Sequence, residues 1–460
     1  MRRLFLFCLL STAFIAHAAD WPPALDAANK TMRATNGRII ERYTHGPREA
    51  WGYPQGIDKE WVYTPGEETG ANGQNHNSFY LVSPKTPREG APLCVVLHSA
   101  NRTAYDYLGY GHLDRKIGGG DDPATVATRS PDDFYALYLS TTNSEWYGWK
   151  ERHAHPELGT KLTAAEKRLL DTIEWVISQR HCDRNRVYLC GVSMGGCGTL
   201  ALGLPHGDIF AAVRAQVPAG TEYAATRMGG FLPEPAANAP AAERDAWLRS
   251  ISASDLPDPP VLVDFSAQND NWSKTQPALV QAAQAGRLPL VLSWGLFGHT
   301  TFTSVAAKFP LCDVALAFPW QEIRRNEAYP VFTHASCNQR CPWLDSPQDF
   351  DASGQLNAWF RWKVESDTQG HFGMQLWLVH PQVDHPPASM PESATVDVTL
   401  RRLQHFKVLP GNTAVWRIKG PGDKELAAGW PAPDATGLIT VPHVTLTTGP
   451  LKLELETPYK

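Results

Sequence analysis

The sequence predicts an α/β fold, a mostly parallel sheet covered by helices, followed by an antiparallel β-sandwich at the C-terminus. Three observations carry this. Short, wholly apolar runs alternate with helix-like stretches through residues 76–310. From about residue 351 the runs alternate apolar and polar residues at period two, with no long helix between them. Finally, 460 residues with a 43% apolar fraction exceed the roughly 150 residues of one ordinary domain and can bury a large core.

In chain order, Met1-Arg2-Arg3, the apolar stretch Leu4–Leu10 and the small-x-small site Ala16-His17-Ala18 come first. They read as a secretory signal peptide over residues 1–18, so the mature protein is expected to be secreted or periplasmic. The run is too short for a permanent span, and no later segment is apolar enough for membrane insertion. Residues 19–75, rich in Pro, Gly and charge, read as an N-terminal arm. Strands are expected at Phe79–Val82, Leu93–Leu97, Phe134–Leu139, Val187–Cys190, Ala211–Val217, Val261–Phe265 and Leu290–Trp294. Within Leu162–Gln179, Leu169, Leu170, Ile173, Val176 and Ile177 fall at helical spacing, and Thr163-Ala164-Ala165-Glu166 is a capping box at its start. A bridge at 311–350 leads to the sandwich at 351–460. Its strands are expected at Asn357–Val364, Phe372–Val379, Thr395–Leu400 and Leu451–Glu456.

The formal net charge of −5, or −7 once Arg2 and Arg3 leave with the signal, argues against a nucleic-acid partner. Of the 8 cysteines, Cys8 leaves too. The remainder are Cys94, Cys182, Cys190, Cys197, Cys312, Cys337 and Cys341, an odd number that leaves at least one unpaired within the chain. Cys94 and Cys190 are expected as buried thiols. Cys337 and Cys341, four apart in a polar loop, are the expected disulfide. The 16 Trp fit a protein that handles an aromatic or sugar-like ligand, set against the ordinary role of Trp in packing.

The chemistry centres on Gly191-Val192-Ser193-Met194-Gly195, directly after a strand. Such a G-x-S-x-G turn needs a strand leading in and a helix leading out, and small residues to permit the strained serine. The segment Gly196-Cys197-Gly198-Thr199-Leu200 can begin that helix. The motif predicts an order of parts: oxyanion loop, Ser, acid, His. Asp270 lies just past the strand Val261–Phe265, whereas its competitor Asp264 lies inside that strand. His299 follows the strand Leu290–Trp294 as Gly298-His299; the competitor His206 lies in the segment after the nucleophile helix.

The run Arg186-Val187-Tyr188-Leu189-Cys190-Gly191-Val192-Ser193 and the Gly298-His299 pair resemble secreted α/β-hydrolase esterases, in particular the polyhydroxyalkanoate-depolymerase and feruloyl-esterase-like group. The resemblance covers about residues 75–310. It implies an α/β-hydrolase fold, with Ser193 as nucleophile, His299 as base and Asp270 as its orienting acid. It also implies an oxyanion hole from the N–H of Met194 and of a residue after Leu93–Leu97. There the family shows His-Gly, and this chain has His98-Ser99-Ala100. Ala100 is the expected donor, with Ser99 as the alternative. The implied function is a secreted serine carboxylic-ester hydrolase that needs no cofactor. Its substrates would be feruloyl or acetyl esters of plant polysaccharides first, polyesters second. Two alternatives stand beside it: a prolyl-oligopeptidase-like serine peptidase and a catalytically inactive hydrolase-fold binding protein. The former usually carries an N-terminal propeller, for which about 75 residues are too few.

Softer sites remain. Trp146, Trp149 and Trp272 lie in loops at the expected active edge and could hold an aromatic acid or a sugar ring, or simply pack. His153-Ala154-His155 has a metal-like spacing without further ligands, and Gly118–Asp122 resembles a calcium turn only superficially; no metal is expected. Trp359, Trp362 and Trp377 could form a sugar platform on the sandwich, but strand alternation splits the first two across the sheet.

Overall fold

The computed structural model describes residues 21–25, 32–53, 78–113, 130–154, 161–218, 240, 258–273, 276–299, 314–315, 317–341, 353–380, 390–408, 412–431, 433–434 and 437–457. Among these an 11-stranded sheet dominates. Its strands are β1 (Ala24–Leu25), β2 (Met32–Arg33), β3 (Ile39–Thr44), β4 (Ser78–Val82), β5 (Leu93–Leu97), β6 (Tyr135–Leu139), β7 (Val187–Val192), β8 (Ala212–Gln216), β9 (Val261–Ala267) and β10 (Leu290–Gly295). After β11 (Tyr329–Thr333), which leaves for the sandwich, β12 (Gly354–Leu356) returns as the last. The order is β1-β3-β4-β6-β5-β7-β8-β9-β10-β12, with β2 on β3. From β6 to β10 every neighbouring pair is parallel. All seven strands expected in the core form, because Val, Leu and Phe runs covered on both faces suit a parallel sheet.

Five helices position the site: α1 (Ala104–His112), α2 (Trp149–Ala154), α3 (Ala164–Gln179), α4 (Met194–Gly198) and α5 (Gln276–Ala285). Helix α3 starts at the expected capping box: Thr163 Oγ1 accepts from the Glu166 N–H at 3.2 Å and Glu166 accepts from the Thr163 N–H at 2.7 Å. Alternate strand residues face opposite sides. Leu93, Val95, Leu97 and Leu189 pack under Leu169, Ile173 and Val176 of α3 and Leu279 of α5. Cys94, Val96, Val263 and Phe265 belong to the opposite core, which continues through Tyr329 and Phe332 into the sandwich. This is an α/β-hydrolase fold with an added antiparallel domain.

The sandwich pairs β11, β15 (Ser393–Arg401) and β18 (Ile439–Thr447) against a sheet of β13 (Phe360–Asp367), β14 (His371–Leu378), β19 (Leu451–Glu456), β16 (Val415–Lys419) and β17 (Glu425–Gly429). Arg401 and Arg402 hold it to the core. Arg401 bonds Asp258 at 2.7 Å and the carbonyls of Gly286 and Arg287, and Arg402 reaches the carbonyls of Ala211 and Pro259. All of these partners lie before the N-terminal ends of β8, β9 and β10. The domain therefore docks at the end of the sheet opposite Ser193.

Four expectations are corrected. The arm at 19–75 contributes β1 to β3 to the main sheet, and β3 pairs antiparallel with β4. Buried arginines hid this pattern: Arg38 is 1% exposed and spends its guanidinium on the carbonyls of Ser83, Pro131 and Phe134. The boundary near 311–350 and 351 is crossed both ways. β11, inside the expected bridge, pairs with β15, and β12, inside the expected sandwich, pairs with β10. Three residues are too few for a legible strand period. The strand expected from Asn357 begins at Phe360, because Asn357 has φ 60° and its amide bonds the carbonyls of Leu290 and Phe332. Cys337 is a free thiol, so the Cys337–Cys341 disulfide does not form; spacing in sequence does not fix the side-chain vectors a bridge requires. The signal segment 1–18 lies outside the described residues, and among the described ones no helix is long and apolar enough to cross a membrane.

Candidate active site

Ser193 stands between β7 and α4 with φ 57° and ψ −118°, a left-handed conformation that costs on the order of 1–3 kcal/mol for a residue with a Cβ. Its neighbours show why they are glycine. A Cβ on Gly191 would lie 2.3 Å from the Gly195 carbonyl oxygen, and one on Gly195 would lie 2.2 Å from that of Leu97. The chain crosses itself too closely for any side chain. The turn is fixed by the Ser193 N–H donating to the Gln216 carbonyl at 2.9 Å. Met194 opens α4, whose first-turn N–H groups have no partner within the helix.

The C-terminal ends of β9 and β10 bring the other two side chains to this point. Asp270 is 6% exposed, and its Oδ1 accepts the Trp272 N–H at 2.9 Å. Its Oδ2 lies 2.7 Å from His299 Nδ1, and His299 Nε2 lies 2.8 Å from Ser193 Oγ. A carboxylate only accepts, so in the neutral ring Nδ1 carries the proton and Nε2 is left to accept from the serine hydroxyl. The Asn269 side chain accepts the Gly298 N–H at 2.8 Å, tying the acid loop to the histidine loop. The three residues expected from spacing form one hydrogen-bonded line. The competitors lie elsewhere: His206 pairs with Asp208 at 3.5 Å. Asp264 is fully buried, bonded by Gln276 Nε2 at 2.5 Å and Ser266 at 3.4 Å. Burial raises its carboxyl to about 7, against those two donors.

Trp146, Trp149 and Trp272 also come together. Trp146 and Trp272 stack with centroids 5.4 Å apart and planes at 19°. Trp149 lies 4.9 Å from Trp146, and Trp272 lies 5.1 Å from the His299 ring. Lys150 Nζ sits 5.3 Å over Trp146. The result is a shelf of indoles running away from the histidine.

Sequence reasoning missed what supports that shelf. Trp146, Tyr147 and Gly148 have φ of 52°, 57° and 89°, three positive values in succession. Beneath them Glu145 is held by Arg168 at 3.1 Å, the Tyr53 hydroxyl at 2.5 Å and Thr141 Oγ1 at 2.7 Å, almost wholly out of solvent. The Tyr147 hydroxyl donates to the His98 carbonyl at 3.0 Å, directly before the expected oxyanion loop. The His98 ring bonds the Ser99 carbonyl through Nδ1 and accepts the Thr141 N–H through Nε2, and burial lowers its pKa to about 4. Asn101 and Asn143 then join this loop to the one after β6, N–H to Oδ1 at 3.1 Å and Nδ2 to Oδ1 at 2.7 Å. Ala100 lies in the turn closed by the Arg102 N–H on the Ser99 carbonyl. Apart from Thr141 and the Ser99 carbonyl, these partners lie 23 to 92 residues from the groups they bond and leave no local signal.

Of the softer sites, the side chains of His153 and His155 and the whole of Gly118–Asp122 lie outside the described residues. Trp359 is fully buried, and Trp362 packs against Phe318 and Phe332. Those rings serve the core.

A family profile described as "Prolyl oligopeptidase family" matches residues 127–225, which include the Ser193 turn. No curated protein matches the chain. Among solved structures it is similar to an acetyl xylan esterase from Aspergillus awamori, at 15% identity over 42% of this chain and 68% of that one, TM-score 0.30. It is also similar to an S-formylglutathione hydrolase from Agrobacterium tumefaciens, at 13% identity over 58% and 93%, TM-score 0.34. A third is a fluorophosphonate-binding serine hydrolase of Staphylococcus aureus, at 14% identity over 53% and 91%, TM-score 0.34. The segment that carries the Ser193 turn is thus similar to the prolyl oligopeptidase family.

Proposed function

We propose that this protein is a serine carboxylic-ester hydrolase, exported by the signal at residues 1–18. The observation that carries the reading is the Asp270–His299–Ser193 line, at 2.7 and 2.8 Å. Ser193 Oγ attacks the ester carbonyl as its proton passes to His299 Nε2, and the developing oxyanion takes the N–H groups of Met194 and Ala100. His299 then gives the proton to the departing alcohol, and water repeats the cycle on the acyl-enzyme. Asp270 holds the ring in the tautomer this requires. The indole shelf beside His299 supports a flat substrate group, which favours feruloyl esters or esters on sugar rings of plant polysaccharides, with polyesters second. The prolyl-oligopeptidase profile over residues 127–225 favours a second reading, a serine peptidase using the same line.

Turnover of p-nitrophenyl acetate by the wild type and Ser193→Ala tests the nucleophile; a loss on the order of a millionfold in kcat is expected, and equal rates would refute the assignment. Methyl ferulate, acetylated xylan, polyhydroxybutyrate and a proline peptide, run side by side, separate the substrate classes. Cleavage of the peptide alone would overturn the esterase reading.

A further inference from the structure

Where the sandwich meets the core there is a cleft of about 560 Å³. One wall is aromatic. Trp430 is 68% exposed, and Trp416 lies in the same lining. Trp416 pairs in register with Gly429 across β16 and β17. A Cβ on Gly429 would lie 2.7 Å from the Trp416 indole, so the glycine lets that ring lie flat over the neighbouring strand. The lining also includes the polar residues Arg287, Asp434 and Thr440, contributed by both domains. Arg287, between α5 and β10, is ion-paired with Asp434 of the sandwich and donates to Thr440 Oγ1 at 3.5 Å. Arg287 precedes β10 and His299 follows it. A six-residue strand rises about 20 Å, so no single ester group reaches both places.

We infer that this cleft binds the pyranose rings of a neutral polysaccharide, as a holding site apart from the reacting serine. The apolar C–H face of a pyranose covers an indole that is otherwise left in water. Sugar hydroxyls donate and accept at once, and the Arg287–Asp434 pair, whose Asp434 Oδ1 also accepts the Leu438 N–H at 3.1 Å, places N–H groups and carboxylate lone pairs side by side in the lining. Because the pair is internally neutral, it brings no net charge to attract an anionic ligand. A proline-rich peptide, the other ligand of exposed indoles, presents mainly carbonyl acceptors and leaves the carboxylate unused. The volume and the interdomain placement are those of small-ligand sites.

The inference does not rest on the esterase reading, and its test reads binding rather than turnover. The full chain carrying Ser193→Ala, which leaves ester groups on the gel polysaccharide intact, is run on native gels containing arabinoxylan, mixed-linkage β-glucan or galactomannan. Retardation on at least one is expected. Trp430→Ala and Asp434→Asn should abolish it, with Kd weakened by about tenfold or more, as for loss of one anchor. Trp430→Ala in the otherwise wild-type chain should keep the wild-type rate on p-nitrophenyl acetate, which shows that the exposed residue is not needed for folding. Unchanged migration on all three gels would sink the proposal. So would retardation that both variants retain, or quenching of tryptophan fluorescence by a proline decamer without any polysaccharide effect.

Discussion

Ser193 is held at φ 57° by glycines that no other residue could replace, and His299 and Asp270 arrive from separate loops to meet it. Asp270→Asn keeps the shape but offers His299 the wrong tautomer, so kcat for p-nitrophenyl acetate should fall by roughly ten-thousand-fold with little change in melting temperature. Two buried titratable residues act on stability instead. The folded Asp264 carboxyl titrates near about 7, whereas an unfolded one titrates near about 4. Between those values the folded chain keeps a proton that the unfolded chain has lost, so stability falls as pH rises through the window. His98 has the opposite sign. The unfolded ring protonates near about 6.5 while the folded one stays neutral down to about 4, so stability falls as pH drops through that range. Melting curves from pH 4 to 7 should show Asp264→Asn gaining on the wild type as pH rises. A constant difference across the range would refute the buried-carboxyl account.

At the scale of elements, the loop between β6 and α3 couples the indole shelf to the loop after β5. Its three positive φ values persist because the Glu145–Arg168 pair and its hydrogen bonds over-determine them. Glu145→Gln removes the carboxylate paired with the buried Arg168 at 3.1 Å, at a cost of about 3–5 kcal/mol in chemical denaturation. Gly148→Ala places a Cβ 2.3 Å from Thr163 Oγ1 at φ 89° and should cost about 2–4 kcal/mol. Tyr147→Phe removes only the hydroxyl on the His98 carbonyl. It should cost about 1 kcal/mol of stability and lower kcat while leaving KM unchanged, since in the proposed mechanism the indoles, and not this ring, meet the substrate. A change confined to KM would show that the loop serves binding alone.

For the whole molecule, one apolar core runs from the face of the main sheet bearing Val96 and Phe265 through Tyr329 and Phe332 to Leu453 and Leu455. Calorimetry should therefore record a single cooperative transition for core and sandwich. Asp258→Ala, which strips Arg401 of its carboxylate, should lower that transition by about 2 kcal/mol or more without splitting it. Two separated transitions would show that the domains fold independently.

Local pattern determined much of this protein. The apolar runs gave the parallel strands, Thr163 and Glu166 gave the start of α3, and the strand-glycine-serine-glycine succession gave the strained Ser193 turn. Asp270 and His299 were legible because the order of loops along a parallel sheet dictates which residues reach its C-terminal edge. Other features depend on contacts between distant segments. Arg38 hid a sheet strand because its charge is satisfied by carbonyls 45 to 96 residues away. Arg401 and Arg402 look like surface residues in sequence, yet they bind the core through the carbonyls of three strand ends. Which Trp packs and which is presented was decided in the same way. A ring's exposure depends on what the rest of the chain lays over it: Trp359 is fully buried, while Trp430 stands in water beside a cleft.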